Sequence, residues 1–329
     1  MIDRRTFVKK IVPLGRIPAI EETTAFSPSN IALCKYWGKK NGVLNLPTTP
    51  SLSISLGNRG SFVKLSLSSQ NSLSINTSLI SPDSVHFART FDFLNLFFAP
   101  DIKVAIQTHN NIPTAAGLAS SASYFSALTL ALNQLYDWQL PLSTLSCLAR
   151  LGSGSACRSL YQGFVQWIDS DDPFKSYGIP LTIQWPEFRV GLLIFDAKPK
   201  LISSRQAMHQ TQLTSPFYQT WCENSHNDFK LLHAAIEKKN FTQVGEISEY
   251  NALSLHAAML AARPPIIYSQ PETIHALSKV HTLRHSGIEV YATQDAGPNL
   301  KLLFLEKDCD AIQEVFPKVE IINPFDWGV

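Results

Sequence analysis

A run of small side chains in the middle of the sequence limits what the chain can fold into. The stretch NNIPTAAGLASSASYFSALTLAL, residues 110–132, begins with Ala, Gly and Ser and then takes on an apolar helical pattern. Phe125 and Leu132 belong to a set of apolar residues, spaced by three or four positions, that share one helix face. A helix start leaves backbone N–H groups without partners and carries partial positive charge. Because bulky side chains are absent, an anion could approach this backbone, and Ser120 and Ser121 add hydroxyl donors.

The same small residues also fit close helix packing, because Ala and Gly let neighbouring elements approach one another. The sequence contains no GxxxxGK[ST] stretch, which excludes a Walker loop. The stretch GSGSAC (152–157) matches only the first part of a GxGxxG motif, because Cys157 replaces the last Gly and no clear strand precedes it. Phosphate binding and tight packing therefore both remain open from these residues alone.

The composition is that of a globular chain with a sizeable core and no extreme charge. The chain has 329 residues, 45% of them hydrophobic, and a formal net charge of +2, and its length suggests about two domains. We therefore expect no nucleic-acid partner and no membrane partner, since no segment approaches the ~18 apolar residues of a membrane helix. The five cysteines show no CxxC or zinc-type spacing, which favours reduced thiols in a cytoplasmic protein.

Hydrophobic periodicity predicts a mixed α and β chain in two halves. Strands are predicted at 51–56, 62–67, 102–107 and 163–167, and later at 189–195, 288–293 and 300–305. Helices are predicted at 118–135 and 141–150, and later at 227–239, 241–262 and 271–286. We place the domain boundary near residue 180, which divides the chain into a first domain at 25–180 and a second at 181–329.

The first 24 residues begin with a basic segment. Paired Arg4 and Arg5 before Phe7 are similar to a twin-arginine export signal, but the apolar region that follows is short and interrupted by Pro13 and Gly15. We therefore expect residues 1–24 to form a basic, poorly ordered extension.

Two segments carry cations suited to anionic ligands. The stretch SNIALCKYWGKK (29–40) offers Lys35 and Lys39, which could hold phosphates as point charges. The stretch LGSGSACRSLYQGF (151–164) offers Arg158, whose fork fits bidentate contact with a carboxylate or phosphate. The alternative interpretations are a strand end with solvated lysines and a flexible loop.

A third segment, TQDAGPN (293–299), lies between two predicted strands. Asp295 is followed there by Ala-Gly-Pro, so its carboxylate would emerge on a tight turn. An Asp that only caps the turn is the alternative interpretation.

In their order and approximate spacing, these motifs resemble those of the diphosphomevalonate decarboxylase family, within the small-molecule kinase superfamily of galactokinase, homoserine kinase and mevalonate kinase (GHMP). The segments that carry the resemblance are NIALCKYWGKK, NNIPTAAGLASSAS, GSGSACRSLYQGF, QDAGPN, LISSRQAMHQT and SLHAAMLAARPPIIY, which lie within residues 25–305. The resemblance implies a two-domain α+β GHMP fold with an active-site cleft between the halves. It also implies ATP-dependent conversion of mevalonate 5-diphosphate to isopentenyl diphosphate, CO₂, ADP and phosphate.

The resemblance further implies a catalytic group around the substrate's 3-hydroxyl and carboxylate. Asp295 would orient the hydroxyl and accept its proton as the hydroxyl attacks the γ-phosphate of ATP. Lys35 would lie close to Asp295, and Arg158 would contact the substrate carboxylate. Ser153 and Ser155 would line the same pocket. The protein would mainly position anions and supply charge while the 3-phosphate and CO₂ depart.

Other residues are assigned to ligand binding by the same resemblance. Those implied for the substrate diphosphate and its positioning are Tyr36, Lys39, Ser204, Arg205 and Asn30. Those implied for the ATP phosphates are Pro113, Ala115, Ala116, Gly117, Leu118, Ala119, Ser120 and Ser121. We expect a Mg²⁺ ion to bridge the ATP phosphates, although the sequence identifies no protein ligand for it. The family also implies a homodimer.

Other functions on the same fold stay open at this point. One is a mevalonate 3-kinase that stops at phosphorylation, and another is a decarboxylase that acts on a monophosphate. The retained Asp295 favours complete decarboxylation, and the residues implied for the substrate tail favour a diphosphate. A sensor that binds nucleotide and substrate without catalysis is a further alternative, and it would need no Asp295 base.

Overall fold

A computed structural model describes residues 2–13, 17–111, 120–196 and 202–326 of the chain, apart from the side chain of Ser120. Most of the loop expected to wrap the ATP phosphates lies outside them, namely Pro113, Ala115, Ala116, Gly117, Leu118 and Ala119.

The strands form two larger sheets and one small hairpin-like pair. In chain order they are β1 (Glu22–Cys34), β2 (Lys39–Asn41), β3 (Leu46–Pro47), β4 (Ser51–Ser68), β5 (Ser72–Ile75), β6 (Ser78–Leu79), β7 (Lys103–Asn110), β8 (Phe164–Trp167), β9 (Gly178–Pro180), β10 (Phe188–Leu193), β11 (Tyr291–Gln294), β12 (Leu300–Leu305) and β13 (Glu320–Ile322).

The helices pack on these sheets, and the first helix comes before the first strand in the chain. They are α1 (Arg4–Lys9), α2 (Val85–Leu94), α3 (Ser120–Leu135), α4 (Leu142–Gly152), α5 (Ser204–Thr214), α6 (Tyr218–Glu237), α7 (Phe241–Leu260), α8 (Pro271–His285) and α9 (Cys309–Val315), with 3₁₀ turns at Gly154–Arg158 and Glu306–Asp308. None of the described helices combines the length and apolar character that a bilayer-spanning segment needs.

The first sheet has the order β6-β5-β7-β4-β8-β9, and β1 also pairs with β4. The alternating pattern predicted two strands where the structure has the single strand β4. The reason is a bulge: the register moves from Pro28 opposite Gly60 to Asn30 opposite Ser55. Gly60 is needed there, because a Cβ on it would lie 2.0 Å from the carbonyl oxygen of Ser27. The bulge interrupts the alternation of apolar and polar side chains along β4. The sequence of this single strand therefore resembles that of two separate strands.

Helices α3 and α4 pack on this sheet. The predicted helix at 118–135 is confirmed over its described part, and Leu128 and Leu132 are fully buried. Gly152 at the end of α4 lies against Phe125, where a Cβ would come within 2.2 Å of the ring. This close approach brings the loop after α4 to the start of α3.

The N-terminal segment contains a packed helix, contrary to the expectation that residues 1–24 form a poorly ordered extension. Arg4–Lys9 is a helix, and the side chain of Asp3 accepts a hydrogen bond from the Thr6 N–H at its start. Phe7 and Val8 are fully buried, and the Phe7 ring stacks on Phe174 with centroids 4.7 Å apart. Burial of apolar side chains of this size stabilises the fold by about 1.5–3 kcal/mol each. This helix is therefore part of the apolar core that also contains residues of α3 and α4.

The second sheet is antiparallel with the order β11-β12-β10-β13. The predicted strand at 300–305 is confirmed, whereas that at 288–293 begins only at Tyr291. Helix α5 was not predicted, and α6 begins at Tyr218, well before the predicted start at 227, because polar residues weaken the apolar pattern. The domain boundary near residue 180 stays a prediction.

One apolar core joins the two sheets. Ile31 of β1 and Phe164 of β8 pack in the same cluster as Phe188 of β10 and Val244 of α7. The side-chain oxygen of Asn251 in α7 also accepts a hydrogen bond from the backbone N–H of the residue just after β1, at 2.8 Å. The end of β1 is thereby fixed against the second sheet and its helices.

Truncation of Phe7 tests the docking of α1. We expect Phe7→Ala to lower the free energy of unfolding by about 3 kcal/mol, because it removes a fully buried ring. Urea unfolding followed by intrinsic fluorescence measures the change. Ile17→Ala is the matched control, since the Ile17 side chain is 87% exposed and its loss should cost less than about 0.5 kcal/mol. Equal stability of Phe7→Ala and the wild type would contradict the docked position.

Candidate active site

Asp295 stands on the turn that connects β11 and β12. The side chain of Gln294, which is itself buried, closes this turn by donating to the carbonyl oxygen of Gly297 at 2.9 Å. The Asp295 side chain is 23% exposed. The turn therefore presents a carboxylate that is mostly enclosed by the protein and partly accessible to solvent.

Lys35 lies directly after β1 and reaches this carboxylate. Its Nζ donates to Asp295 Oδ1 at 2.8 Å and to the carbonyl oxygen of Ala32 at 2.8 Å. The Lys35 residue is only 2% exposed. Two segments that are far apart in sequence thus meet, as expected for this pair.

Lys301 is a third member of the group, and the sequence analysis missed it. Its Nζ lies 3.0 Å from Asp295 Oδ2, and its side chain is 1% exposed. Lys301 stands opposite Thr293 in the β11–β12 ladder. The available signal was a lysine inside the apolar run LKLLFL, because a lysine is almost never fully buried unless it is paired.

The two lysines decide the charge of Asp295. Burial on its own would raise the pKa of this carboxyl, but attraction by Lys301 and Lys35 outweighs burial and holds the pKa below its usual range. Burial lowers the pKa of Lys35, and the charge of Asp295 acts in the opposite direction. The group at neutral pH is thus an ionised carboxylate between two cations.

His256 of α7 packs beside this group. Burial lowers its pKa to about 4, and the positive charge of Lys35 acts in the same direction. Its Nε2 is buried without a hydrogen-bond partner among the described residues. The imidazole is therefore neutral at pH 7 and adds no further positive charge.

Arg158 ends the 3₁₀ turn at Gly154–Arg158 and is 2% exposed. Its guanidinium donates to the hydroxyl of Ser51 and to Asn30 Oδ1, the latter at 3.3 Å, and it lies over the ring of Trp167. Burial is the main influence on its pKa and lowers it, while the carboxylate of Asp295 is close enough to act in the opposite direction. Its Nε has no partner within the described part of the chain.

Asn30 and the serines connect Arg158 to the start of α3. Asn30 Nδ2 donates to the Ser159 hydroxyl at 2.7 Å and to the carbonyl oxygen of Ser155 at 3.3 Å. The hydroxyl of Ser153 lies 3.3 Å from that of Ser121 in the first turn of α3. The structure thus brings the two segments predicted to contact phosphate to one place.

Tyr36 and Lys39 follow Lys35 on the same segment. The Tyr36 ring packs on Trp167 with centroids 4.8 Å apart, and its hydroxyl is buried with no partner in the described ranges. Lys39 Nζ donates to Asn45 Oδ1 at 2.6 Å. Burial, followed by the positive charges of Arg205 and Arg89, lowers the pKa of Lys39 to about 8.

A pocket forms beside Lys39, where α5 begins. Ser204 is the first residue of α5, and Ser203 caps the helix. The residues that line the pocket are Lys39, Gly42, Arg205, Met208, His209 and Gln212. The pocket is basic and suits a multiply charged anion.

A second pocket lies beside the first turns of α3. It is enclosed by β5, β7, α2 and α3, and its lining is mainly apolar with a few hydrogen-bonding groups. The lining residues are Leu73, Ile75, His86, Arg89, Thr90, Thr108, Asn110, Ser121, Tyr124 and Phe125. Its composition suits an apolar group with polar edges.

Two family models match the chain. The model of the diphosphomevalonate decarboxylase-like N-terminal domain matches residues 27–178, and that of the mevalonate 5-diphosphate decarboxylase C-terminal domain matches residues 190–324. The chain belongs to the diphosphomevalonate decarboxylase family. The resemblance inferred from the motifs is thereby confirmed.

Individual members of the family are similar over most of their length. The diphosphomevalonate decarboxylase of Aspergillus fumigatus is 35% identical over 322 residues, which span 89% of this chain and 79% of that protein. The diphosphomevalonate decarboxylase of Candida albicans is 34% identical over 313 residues, with 89% and 86% covered.

Solved structures of the family share the fold. Mevalonate diphosphate decarboxylase from Staphylococcus aureus superimposes with a TM-score of 0.86 at 33% identity, covering 92% of this chain and 95% of that one. A structure described as "MDDEF in complex with MVAPP, AMPPCP and Magnesium" has a TM-score of 0.85 at 35% identity, with 92% and 96% covered. The predicted two-domain α+β GHMP fold is confirmed.

The site of this family member also suits a nucleotide and Mg²⁺. The hydroxyls of Ser121 and Ser153 and the N-terminus of α3 are donors for phosphate oxygens. Among the described residues, no group of three or more His, Cys, Asp or Glu side chains could hold a metal ion. Mg²⁺ commonly keeps several waters and binds through substrate phosphates, so an acidic cage is not required.

Removal of the Lys301 charge tests its hold on Asp295. In Lys301→Met, the pKa of the carboxyl rises, so Asp295 becomes protonated at a higher pH than in the wild type. We expect the acidic limb of the kcat/KM profile to move up by about one pH unit or more. ADP formation followed from strongly acidic to neutral pH measures the profile.

Lys307→Met is the control, since the Lys307 side chain is 63% exposed and contacts Glu289 instead. Its profile should match that of the wild type. An unchanged acidic limb in Lys301→Met would contradict the role of Lys301 in setting the charge state of Asp295.

Proposed function

We propose that this chain carries out the ATP-dependent decarboxylation of mevalonate 5-diphosphate to isopentenyl diphosphate at the Asp295 site. ADP, phosphate and CO₂ are the other products, and ATP and Mg²⁺ are the cofactors. The observation that carries the proposal is the ionised Asp295 carboxylate, paired with Lys35 and Lys301 within attractive range of Arg158. Family membership supplies the substrate class.

The first step is phosphoryl transfer to the tertiary 3-hydroxyl. Asp295 accepts a hydrogen bond from this hydroxyl through its exposed side and orients the oxygen toward the γ-phosphate. As the new O–P bond forms and the bond to ADP breaks, the proton passes to the carboxylate. Because two lysines make this carboxylate a weak base, the proton moves only when bond formation has made the hydroxyl acidic. Lys35 offsets the negative charge that develops on the transferred group.

The second step is loss of phosphate and CO₂. The C–O bond to the 3-phosphate breaks with its electron pair, and positive charge develops at the tertiary carbon. The C–C bond to the carboxylate then supplies the electron pair of the new double bond, and CO₂ departs. Arg158 is proposed to hold the carboxylate in line through its planar fork. Its partners Ser51 and Asn30 fix the guanidinium plane.

The diphosphate tail is proposed to occupy the basic pocket beside α5. Lys39 and Arg205 line this pocket, and Ser204 starts the helix at its edge. Tyr36 has a buried hydroxyl that has no hydrogen-bond partner among the residues that the structure describes. Ser155 stands on the 3₁₀ turn that also carries Arg158 and is proposed to line the catalytic pocket with Ser153 instead. Two closely spaced phosphates match this density of positive charge better than one.

ATP is proposed to bind around the start of α3. The loop from Pro113 to Ser121 would wrap its phosphates, and the apolar pocket next to Ser121 would hold the base. Mg²⁺, when bound, neutralises phosphate charge and aligns the transferred group. Ser121 ends this loop, and the Ser153 hydroxyl lies next to that of Ser121. Both hydroxyls would be directed to the same phosphates.

We also propose a cytoplasmic homodimer, with neither nucleic acid nor membrane as a partner. The homodimer rests on the family resemblance. All five cysteines are free thiols, and Cys34, Cys147, Cys157 and Cys222 are buried, which suits a reducing compartment. The formal net charge of +2 gives no field that would attract nucleic acid or an anionic membrane.

Release of CO₂ tests the reaction directly. With mevalonate 5-diphosphate labelled at its carboxyl carbon, ATP and Mg²⁺, we expect labelled CO₂ and ADP in equal amounts. Mevalonate and mevalonate 5-phosphate should give much less of both at the same concentration. Accumulation of a 3-phosphate without CO₂ would instead identify a 3-kinase, and ligand binding without ADP formation would identify a sensor.

Replacement of Asp295 tests the proton acceptor. We expect Asp295→Asn to lower kcat by at least about 10²-fold, since it removes the group that takes the hydroxyl proton. Substrate affinity, measured by calorimetry, should remain close to that of the wild type. Asp310→Asn is the matched control, because Asp310 is exposed on α9. Turnover near the wild-type rate in Asp295→Asn would remove this residue from the mechanism.

A further inference from the structure

We infer that Arg4, on the N-terminal helix α1, is a binding residue for the outer phosphate of the substrate tail. This inference rests on the proposed function, because it adds a residue to the pocket that would hold the diphosphate. Arg4 precedes residue 27, where the match to the N-terminal family model begins. The residue therefore belongs to a feature of this chain that the family match does not include.

The position of Arg4 is determined by the packing of α1. Phe7, Val8 and Val12 are at most 1% exposed and belong to the same core cluster as α3 and α4. The guanidinium of Arg150 lies 5.7 Å from the centroid of the Phe7 ring, so α1 contacts the last turns of α4. A helix anchored in this way presents Arg4 at a defined place rather than on a free tail.

That place is next to the proposed diphosphate pocket. Arg4 Nη2 donates to the carbonyl oxygen of Leu151 at 3.0 Å. The same oxygen accepts from Asn45 Nδ2 at 3.3 Å, and Asn45 Oδ1 accepts from Lys39 Nζ at 2.6 Å. Arg4 and Lys39 are thus joined through one carbonyl and one side-chain amide. Ser153 follows two positions after Leu151, at the end of α4.

The electrostatics show that several cations face one another here. Burial lowers the pKa of Arg4, Asp92 raises it, and the positive charge of Arg205 lowers it further. Arg205 also acts on Lys39 and on Arg89, so its positive charge is shared as a neighbour by all three other cations. Gathering like charges costs free energy unless an anion is bound among them. A diphosphate would bring the compensating charge.

Arg4 also has an unused donor. Its Nε is buried and has no hydrogen-bond partner among the described residues. An arginine that served only to cap the end of α4 would need one contact to Leu151 and would be better placed away from Arg205. The unpaired donor, on a side chain that is joined to Lys39 through Leu151 and Asn45, points to an anionic ligand.

Arg4→Gln tests the inference, with Arg5→Gln as the matched control because Arg5 is the exposed neighbour on the same helix. We expect Arg4→Gln to raise KM for mevalonate 5-diphosphate about 10-fold, while kcat stays within about twofold. Inorganic pyrophosphate should inhibit the variant about 10-fold less strongly than the wild type, whereas inhibition by inorganic phosphate should change much less. Arg5→Gln should behave as the wild type in all three measurements.

The outcomes separate binding from support of the fold. Unchanged KM and unchanged inhibition by pyrophosphate in Arg4→Gln would overturn the inference. A fall in kcat and in melting temperature with no change in KM would also overturn it, because that pattern indicates a structural role. If Arg4→Gln does not fold, Arg4→Lys keeps the charge and loses the fork, and its KM should rise about threefold. An unchanged KM in Arg4→Lys would then overturn the inference.

Failure of the proposed function has a different signature. In that case the wild-type protein releases no CO₂ from mevalonate 5-diphosphate, whatever residue stands at position 4. Binding of inorganic pyrophosphate to the wild type and to Arg4→Gln, measured by calorimetry, does not depend on turnover. It therefore reports on Arg4 separately from the reaction.

Discussion

The contact of one carboxylate with two buried ammonium groups organises this molecule. Lys35 comes from the segment after the first strand, whereas Asp295 and Lys301 come from the second sheet. Removing charges from water costs several kcal/mol per ion unless they are paired with good geometry. Lys35 in the first half therefore finds its carboxylate partner only in the second half. The catalytic group can form only when the two halves are assembled, which makes folding and active-site formation the same event.

Packing keeps this contact in register. Ile31, Phe164 and Phe188 belong to one apolar cluster that packs the two sheets against each other. Asn251 adds a polar link, since its side chain accepts from the Lys35 backbone and donates to Asp228 at 2.9 Å. A shift of β1 against α7 would break that link together with the ion pair. The site is thus built on strands and helices rather than on loops alone, which suits a reaction that depends on alignment.

Much of this arrangement could be predicted from the sequence, and the exceptions have identifiable causes. The helix after the small-residue loop was predictable because its apolar spacing is regular. The role of Asp295 was predictable only through the family resemblance of its segment, because the turn by itself also fits a capping Asp. Lys301 was missed because alternation in LKLLFL makes a buried lysine look like the solvent face of a strand. Helix α1 was missed because basic residues surround Phe7 and Val8, and burial of that pair depends on partners far along the chain. Ionic contacts across the two halves leave no local pattern at all.

The basic pocket beside α5 has a consequence for acidity. Lys39 titrates near pH 8 because it is buried among other cations, so part of its population has no proton in weakly alkaline solution. A bound polyanion favours the ammonium form. With the substrate tail bound in this pocket as proposed, Lys39 takes up a proton from solvent together with the substrate. The proposed binding mode thus links substrate capture to the proton concentration of the surrounding medium, at a residue that never meets the reacting carbon.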